Sequence, residues 1–210
     1  MDWMDRERNF WIVGGDLRQR ALARLLREDG HTVHIAALEG EGLVAEPLGP
    51  GLALAHCVIL PLPVTRRGEI LHTPLSREEV TLPQLLDWLE PGQVLCGGMV
   101  DPQAAAAAQA RGLRLLDYYA REECMVANAV PTAEGAVQIA MEQLPITIHG
   151  ARVLVVGFGR VGRALAQRLA ALGAKVTVAA RRYESLAWAQ ASGYGAEQTG
   201  QLAGWLCGYD

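Results

Sequence analysis

Lysine is almost missing from this 210-residue chain: Lys175 is the only one among 19 basic residues. It opens a strand beside Gly173, a poor setting for Schiff-base chemistry. No glycine-rich turn runs into Lys-Ser or Lys-Thr, so a P-loop is excluded. Cysteine is sparse and scattered (Cys57, Cys96, Cys124, Cys207). Without a CxxC or a Cys/His cluster, neither a zinc site nor a disulfide framework is expected, and no metal is assigned. Buried, reduced thiols in the cytosol are the expected state. The apolar runs are too short for a membrane span. The start is charged (Asp2, Asp5, Arg6, Glu7, Arg8), unlike a signal peptide. Net charge is −4 and no basic block stands out, which argues against a nucleic-acid partner.

Half of the residues are hydrophobic, enough for one large core or two small ones. Apolar runs alternate with amphipathic stretches, the pattern of an α/β protein built on parallel sheets. Strands are predicted at 10–13, 31–36, 56–60, 93–96 and 113–116. Helices are predicted at 17–28, at 82–89 and over the alanine run 104–108. This organisation describes an open, flavodoxin-like or Rossmann-like domain over residues 1–126. Pro131-Thr132-Ala133-Glu134 reads as the start of a helix reaching Gln143, within an interdomain segment 127–149. Residues 150–210 read as a second, partial dinucleotide-binding domain.

That second assignment rests on Val153-Leu-Val-Val-Gly157-Phe158-Gly159-Arg160-Val161-Gly162. The first glycine permits a tight strand-to-helix turn. The second lets a pyrophosphate reach the backbone, and the third lets the helix pack on the strand. The helix N-terminus then presents N–H groups to phosphate. The context is right: a helix follows to Leu172, Gly173 ends it, and 174–180 is a second strand. A glycine-rich turn without a ligand is the alternative.

The end of that second strand selects the cofactor. NAD sites place Asp or Glu there for the ribose hydroxyl. Here Ala180 is followed by Arg181 and Arg182, two guanidiniums suited to a 2′-phosphate. NADP is therefore expected, unless the arginines are only a solvated loop. After Gly150 only two strands are visible. A full fold of this type needs two halves, and an edge of the strand 153–156 would stay unpaired. A chain truncated within its second domain is expected.

Ligands of open α/β sheets sit at the carboxyl ends of strands. Candidates there are Gly14-Gly15-Asp16, Pro63-Val64-Thr65 and Gly97-Gly98-Met99. Arg18 and Arg66 are the nearest guanidiniums for a substrate carboxylate. Asp16 also suits a helix cap, as do Thr132 and Glu134. All four of Asp16, Arg18, Thr132 and Glu134, with Thr65, are candidate substrate contacts. His149 precedes the dinucleotide strand at the end away from the phosphates. His31, His34, His56 and His72 show no ligand spacing, and no catalytic base is assigned.

Several segments together resemble the dipicolinate synthase A-subunit family. They are Gly14-Gly-Asp-x-Arg18-Gln19, Leu60-Pro-x-Pro63-Val64 and Ser76-x-Glu78-Glu79-Val80. They continue with Asn128-x-x-Pro131-Thr132-x-Glu134-Gly135, Thr147-Ile-His-Gly150 and the glycine turn. Members of that family have about 300 residues and a complete second domain. The resemblance implies an NADP-linked dehydrogenase that converts 4-hydroxy-tetrahydrodipicolinate to pyridine-2,6-dicarboxylate. It also implies a second, flavoprotein-like partner, the dipicolinate synthase B-subunit, and action in the cytoplasm of the mother cell of a spore-former; a homo-oligomer is left open. In related hydroxyacid dehydrogenases the base comes from the C-terminal portion. Two rival readings stand beside this one. Another two-domain dehydrogenase would need an acidic residue at 180 to use NAD. A non-catalytic chain would bind only nucleotide or partner.

Overall fold

Successive side chains of an extended segment point to opposite faces. In β1 (Asn9–Val13) both sets are apolar: Phe10 and Ile12 enter one buried cluster, Trp11 and Val13 another. A strand of that kind needs cover on both faces, as in a parallel sheet flanked by helices. The computed structural model describes residues 6–40, 42–204 and 206–210. The charged start falls partly on residues 1–5, outside the described residues. The chain divides into two units, Met1–Arg121 and Glu122–Asp210.

In the first unit, β1 leads into α1 (Leu17–Glu28) and then β2 (Thr32–Ala36) and β3 (Cys57–Ile59). A short hairpin follows, β4 (Thr65–Arg67) with β5 (Ile70–Leu71), and then α2 (Leu82–Leu86). β6 (Val94–Gly97), α3 (Pro102–Gln109) and β7 (Arg114–Asp117) complete the unit. Five strands form one parallel sheet in the order β2-β1-β3-β6-β7. Numbered among themselves they run 2-1-3-4-5, the flavodoxin-like order, whose switch point lies between β1 and β3. The sequence pattern does not predict the hairpin, because Thr-Arg-Arg has no apolar alternation. Backbone bonds hold it in place: Leu71 donates to the Val80 carbonyl and His72 to the Val64 carbonyl.

The second unit holds α4 (Glu122–Gln143), β8 (Arg152–Val156), α5 (Arg160–Ala171), β9 (Lys175–Ala180), α6 (Tyr183–Ala191) and β10 (Gly195–Gln198). Its parallel sheet runs β10-β9-β8, the 3-2-1 half of a dinucleotide fold. Two expectations from the sequence fail in this unit. The stretch 195–198 is a third strand, although Gly-Ala-Glu-Gln shows no apolar pattern. Its pairing is a backbone matter, and Gly195 is needed because a Cβ there would lie 2.7 Å from the Thr177 hydroxyl. The helix predicted to start at Pro131 starts at Glu122 and carries Pro131 inside it. An internal proline removes one helical hydrogen bond. Tertiary contact outweighs that loss: α4 packs along α5 and is tied to it by Glu122–Arg160 (2.8 Å) and Glu134–Arg168 (3.3 Å).

The unpaired side of the strand 153–156 is present, since β8 has β9 as its one strand neighbour among the described residues. Asp210 covers its beginning. The Asp210 N–H donates to the Arg152 carbonyl (3.0 Å), and its carboxylate accepts from the Arg152 N–H (2.8 Å).

Candidate functional site

Each glycine of the β8–α5 turn has its own reason. Gly157 has φ +101°, a conformation open to glycine and costly for other residues. A Cβ on Gly162 would run into the Gly157 carbonyl, so the helix lies against the turn only because that atom is missing. Gly159 differs from Gly162 in space, since a Cβ there would meet nothing within 4 Å beyond its chain neighbours, and from Gly157 in backbone conformation. Its φ of −82° suits any residue. Glycine at 159 therefore serves no packing need inside the protein; it keeps space open above the helix. Gly159 is also the N-cap of α5 and offers no side-chain acceptor to the first-turn N–H groups. Such a terminus favours an anion.

A cavity of about 570 Å³ opens at this point. Gly157, Phe158 and Gly159 form one wall, and Ala180, Arg181 and Arg182 another, with Thr199 beyond β10. Both arginines are exposed. Phe158 is buried, edge-on to Tyr194, with the Arg163 guanidinium 5.4 Å above its ring. A second hollow beside it is lined by Arg160, Arg163, Arg182 and Glu184. The predicted cofactor residues Gly157 to Gly162, Arg181 and Arg182 are thus gathered around one turn. Arg160 is turned to the Glu122 carboxylate, whose pKa its hydrogen bonds lower. Sequence reasoning missed Thr199, which follows the unforeseen strand, and Glu184, a carboxylate in the first turn of α6.

The residues present fit a dinucleotide: an open approach to the backbone, uncapped N–H groups, and guanidiniums where the ribose end would lie.

In the first unit, the turn after β1 is set by Gly14 and Gly15 (φ +70° and +102°). Asp16 caps α1, accepting from the Arg18 N–H, while Gln19 returns its side-chain oxygen to the Asp16 N–H. The Arg18 guanidinium grips Asp16 with Nε and Nη2 (shortest contact 2.8 Å) and gives a further bond to the Leu62 carbonyl (2.8 Å). Thr65 donates to Asp101 (2.6 Å), which caps α3.

Residues 9–119 match the family model for the N-terminal domain of the dipicolinate synthase A-subunit. The chain belongs to the dipicolinate synthase A-subunit family. Residues 105–204 match the NAD-binding domain of D-isomer specific 2-hydroxyacid dehydrogenases. The dipicolinate synthase A-subunit of Bacillus subtilis (strain 168) is 31% identical over 183 residues, which cover 84% of this chain and 62% of that protein. The chain therefore spans less than two thirds of that curated relative. The crystal structure of the dipicolinate synthase A-subunit from Bacillus halodurans superposes with a TM-score of 0.80 at 27% identity, over 97% of this chain and 72% of that one. The Bacillus subtilis structure gives 0.78 at 28% identity, over 98% and 71%.

The match of residues 105–204 to an NAD-binding domain points to a nicotinamide cofactor for the unit that carries the Gly159 turn. It does not by itself distribute roles among the other candidates. Thr132 and Glu134 stand inside α4 and not at a cap, which corrects the capping assignment. The Thr132 hydroxyl donates to the Asn128 carbonyl (2.8 Å), and Glu134 faces Arg168. No helix among the described residues is long and apolar enough to cross a membrane. Cys57 and Cys96, far apart in sequence, lie with sulfurs 3.7 Å apart on neighbouring strands. Their mutual hydrogen bond, with burial, pushes the Cys57 thiol up.

The Arg18 contact lowers the Asp16 pKa. A lowered carboxyl pKa adds stability above its unfolded value, and that contribution is lost as pH falls through the folded one. Asp16→Ala should cost the first unit about 1 kcal/mol at neutral pH through the lost cap. In thermal unfolding across pH, its gap from the parent should narrow in acid. A gap that stayed constant would show that Asp16 charge plays no part.

Proposed function

We propose that this chain is the NADP-binding subunit of an enzyme that oxidises 4-hydroxy-tetrahydrodipicolinate to pyridine-2,6-dicarboxylate in a spore-forming bacterium. The observation that carries the reading is the open space at Gly159 beside Arg181 and Arg182, in a chain of this family. Loss of water from the substrate leaves a dihydropyridine. Removal of a hydride and a proton then yields the aromatic ring, and aromaticity supplies the driving force. A nicotinamide supplies the hydride acceptor. The chain itself supplies position: the α5 terminus holds the pyrophosphate, and loops at the first sheet's carboxyl edge hold carboxylates. Arg18, with Asp16, fixes the edge of that carboxylate site. Thr65, Thr132 and Glu134 remain candidates for contact with substrate. A second, different subunit completes the enzyme in this reading, because the relatives are themselves named as one lettered subunit of a synthase.

NADPH fluorescence titration is the direct test, followed by turnover with the second subunit added. Binding of NADPH is expected, and its absence would leave the non-catalytic reading. Arg181→Ala with Arg182→Ala should cut the preference for NADP over NAD roughly tenfold or more, since hydrogen bonds to charged groups contribute about 1.5–3 kcal/mol. An unchanged ratio would remove the arginines from cofactor choice.

A further inference from the structure

In the second unit the Thr132, Thr147 and Ser192 hydroxyls each donate to a backbone carbonyl. The other hydroxyls of that unit, on Thr177, Ser185 and Thr199, bond to no described residue. Thr177 packs against Gly195. Ser185 and Thr199 are half-buried, and both line the cavity of about 570 Å³ at the Gly159 turn. A half-buried hydroxyl that the fold leaves unpaired inside a cavity is open to a ligand.

Ser185 stands with the two arginines. It lies in the first turn of α6, three residues after Arg182, the N-cap, and its N–H donates to the Arg182 carbonyl (3.1 Å). Side chains three residues apart at a helix start share a face, and Arg181, Arg182 and Ser185 all line the same cavity. On α5, Arg160 and Arg168 are paired with glutamates of α4, whereas Arg181 and Arg182 have no carboxylate partner among the described residues. Glu184, the carboxylate next to Ser185, lines the neighbouring hollow and not this cavity.

We propose that Ser185 determines coenzyme specificity, as the third donor, with Arg181 and Arg182, to a phosphomonoester on the coenzyme ribose. The assignment rests on the NADP reading of the chain. A phosphomonoester presents three outer oxygens and a charge of about −1.5 to −2 at pH 7. Two guanidiniums supply positive charge and forked N–H donors. The Ser185 O–H turns to the remaining oxygen. In NAD the same place holds a neutral ribose hydroxyl, and a bond to a neutral group is roughly half as strong as one to a charged oxygen. Ser185 therefore discriminates between the two coenzymes.

Fluorescence titration of NADPH and of NADH into the full chain reads that discrimination as a ratio of affinities. Ser185→Ala should weaken NADPH about tenfold and NADH no more than about threefold. Ser185→Asp sets a carboxylate against the phosphate and should weaken NADPH at least about 100-fold, with NADH near the parent. Aspartate suits the first turn of a helix, and hydrogen exchange of the β9 and α6 amides checks the folding of the unit that carries the site. Thr199→Val, beyond β10, should leave the ratio at its parent value. A ratio that moved with Thr199 and not with Ser185 would place the phosphate elsewhere in the cavity and overturn the assignment. A ratio that neither Ser185 substitution moves, but that Arg181→Ala with Arg182→Ala lowers, would overturn the role of Ser185 and leave the NADP reading intact. A parent that binds both coenzymes equally would overturn both.

Discussion

Gly159→Val should weaken NADPH binding at least about 100-fold, a loss of roughly 2.7 kcal/mol, without unfolding the protein. Both halves of that expectation come from the same measurement of space. Beyond its two chain neighbours, nothing lies within 4 Å of the added Cβ, and the backbone there has an ordinary φ. The branch point of the valine therefore has open space around it. It does stand where a pyrophosphate must come close to the N–H groups of α5. Fluorescence titration, paired with a thermal unfolding curve, separates the two effects. Parent-like affinity in a folded variant would show that the cofactor does not lie over this turn.

Gly162→Ala should do the reverse. Its single extra carbon collides with the Gly157 carbonyl, so α5 must move away from the end of β8. Overpacking of this kind costs about 1–3 kcal/mol. The loss should fall on the second unit alone, because the collision lies wholly inside it. Hydrogen exchange, which reads each unit's amides separately, should show faster opening in β8, α5 and β9 with the first sheet unchanged. NADPH binding should weaken as a consequence of the displaced helix. Unchanged protection in β8 and α5 would mean that the close approach is not needed.

These two glycines also show which parts of the molecule can be read from sequence. Their spacing reports local backbone demands, and local demands are visible in a linear string. β1 and β3 were equally legible, because strands covered on both faces must be apolar throughout. The structure departs from the sequence pattern where a distant partner decides. β10 is a strand because β9 offers it a ladder, and nothing in Gly-Ala-Glu-Gln records that. α4 runs through Pro131 because α5 supplies ion pairs and packing that outweigh one missing hydrogen bond. Glu134 looked like part of a cap until Arg168, 34 residues away, claimed it. His72 showed no ligand spacing, and only the fold brings its carbonyl to the Gly15 N–H. Arg18 was legible as a guanidinium at the right edge, but not its engagement with Leu62.

The single lysine has a practical consequence. Lys175 is exposed and begins β9, while Ala180, at the far end of the same strand, lines the cofactor cavity. At about 3.3 Å per residue the two ends are separated by roughly 16 Å. Apart from the α-amine, an amine-reactive dye has one place to attach. A fluorophore fixed there would stand well clear of the nucleotide yet close enough for energy transfer from a reduced nicotinamide. The molecule thus carries a built-in attachment point for an optical reporter of its own occupancy.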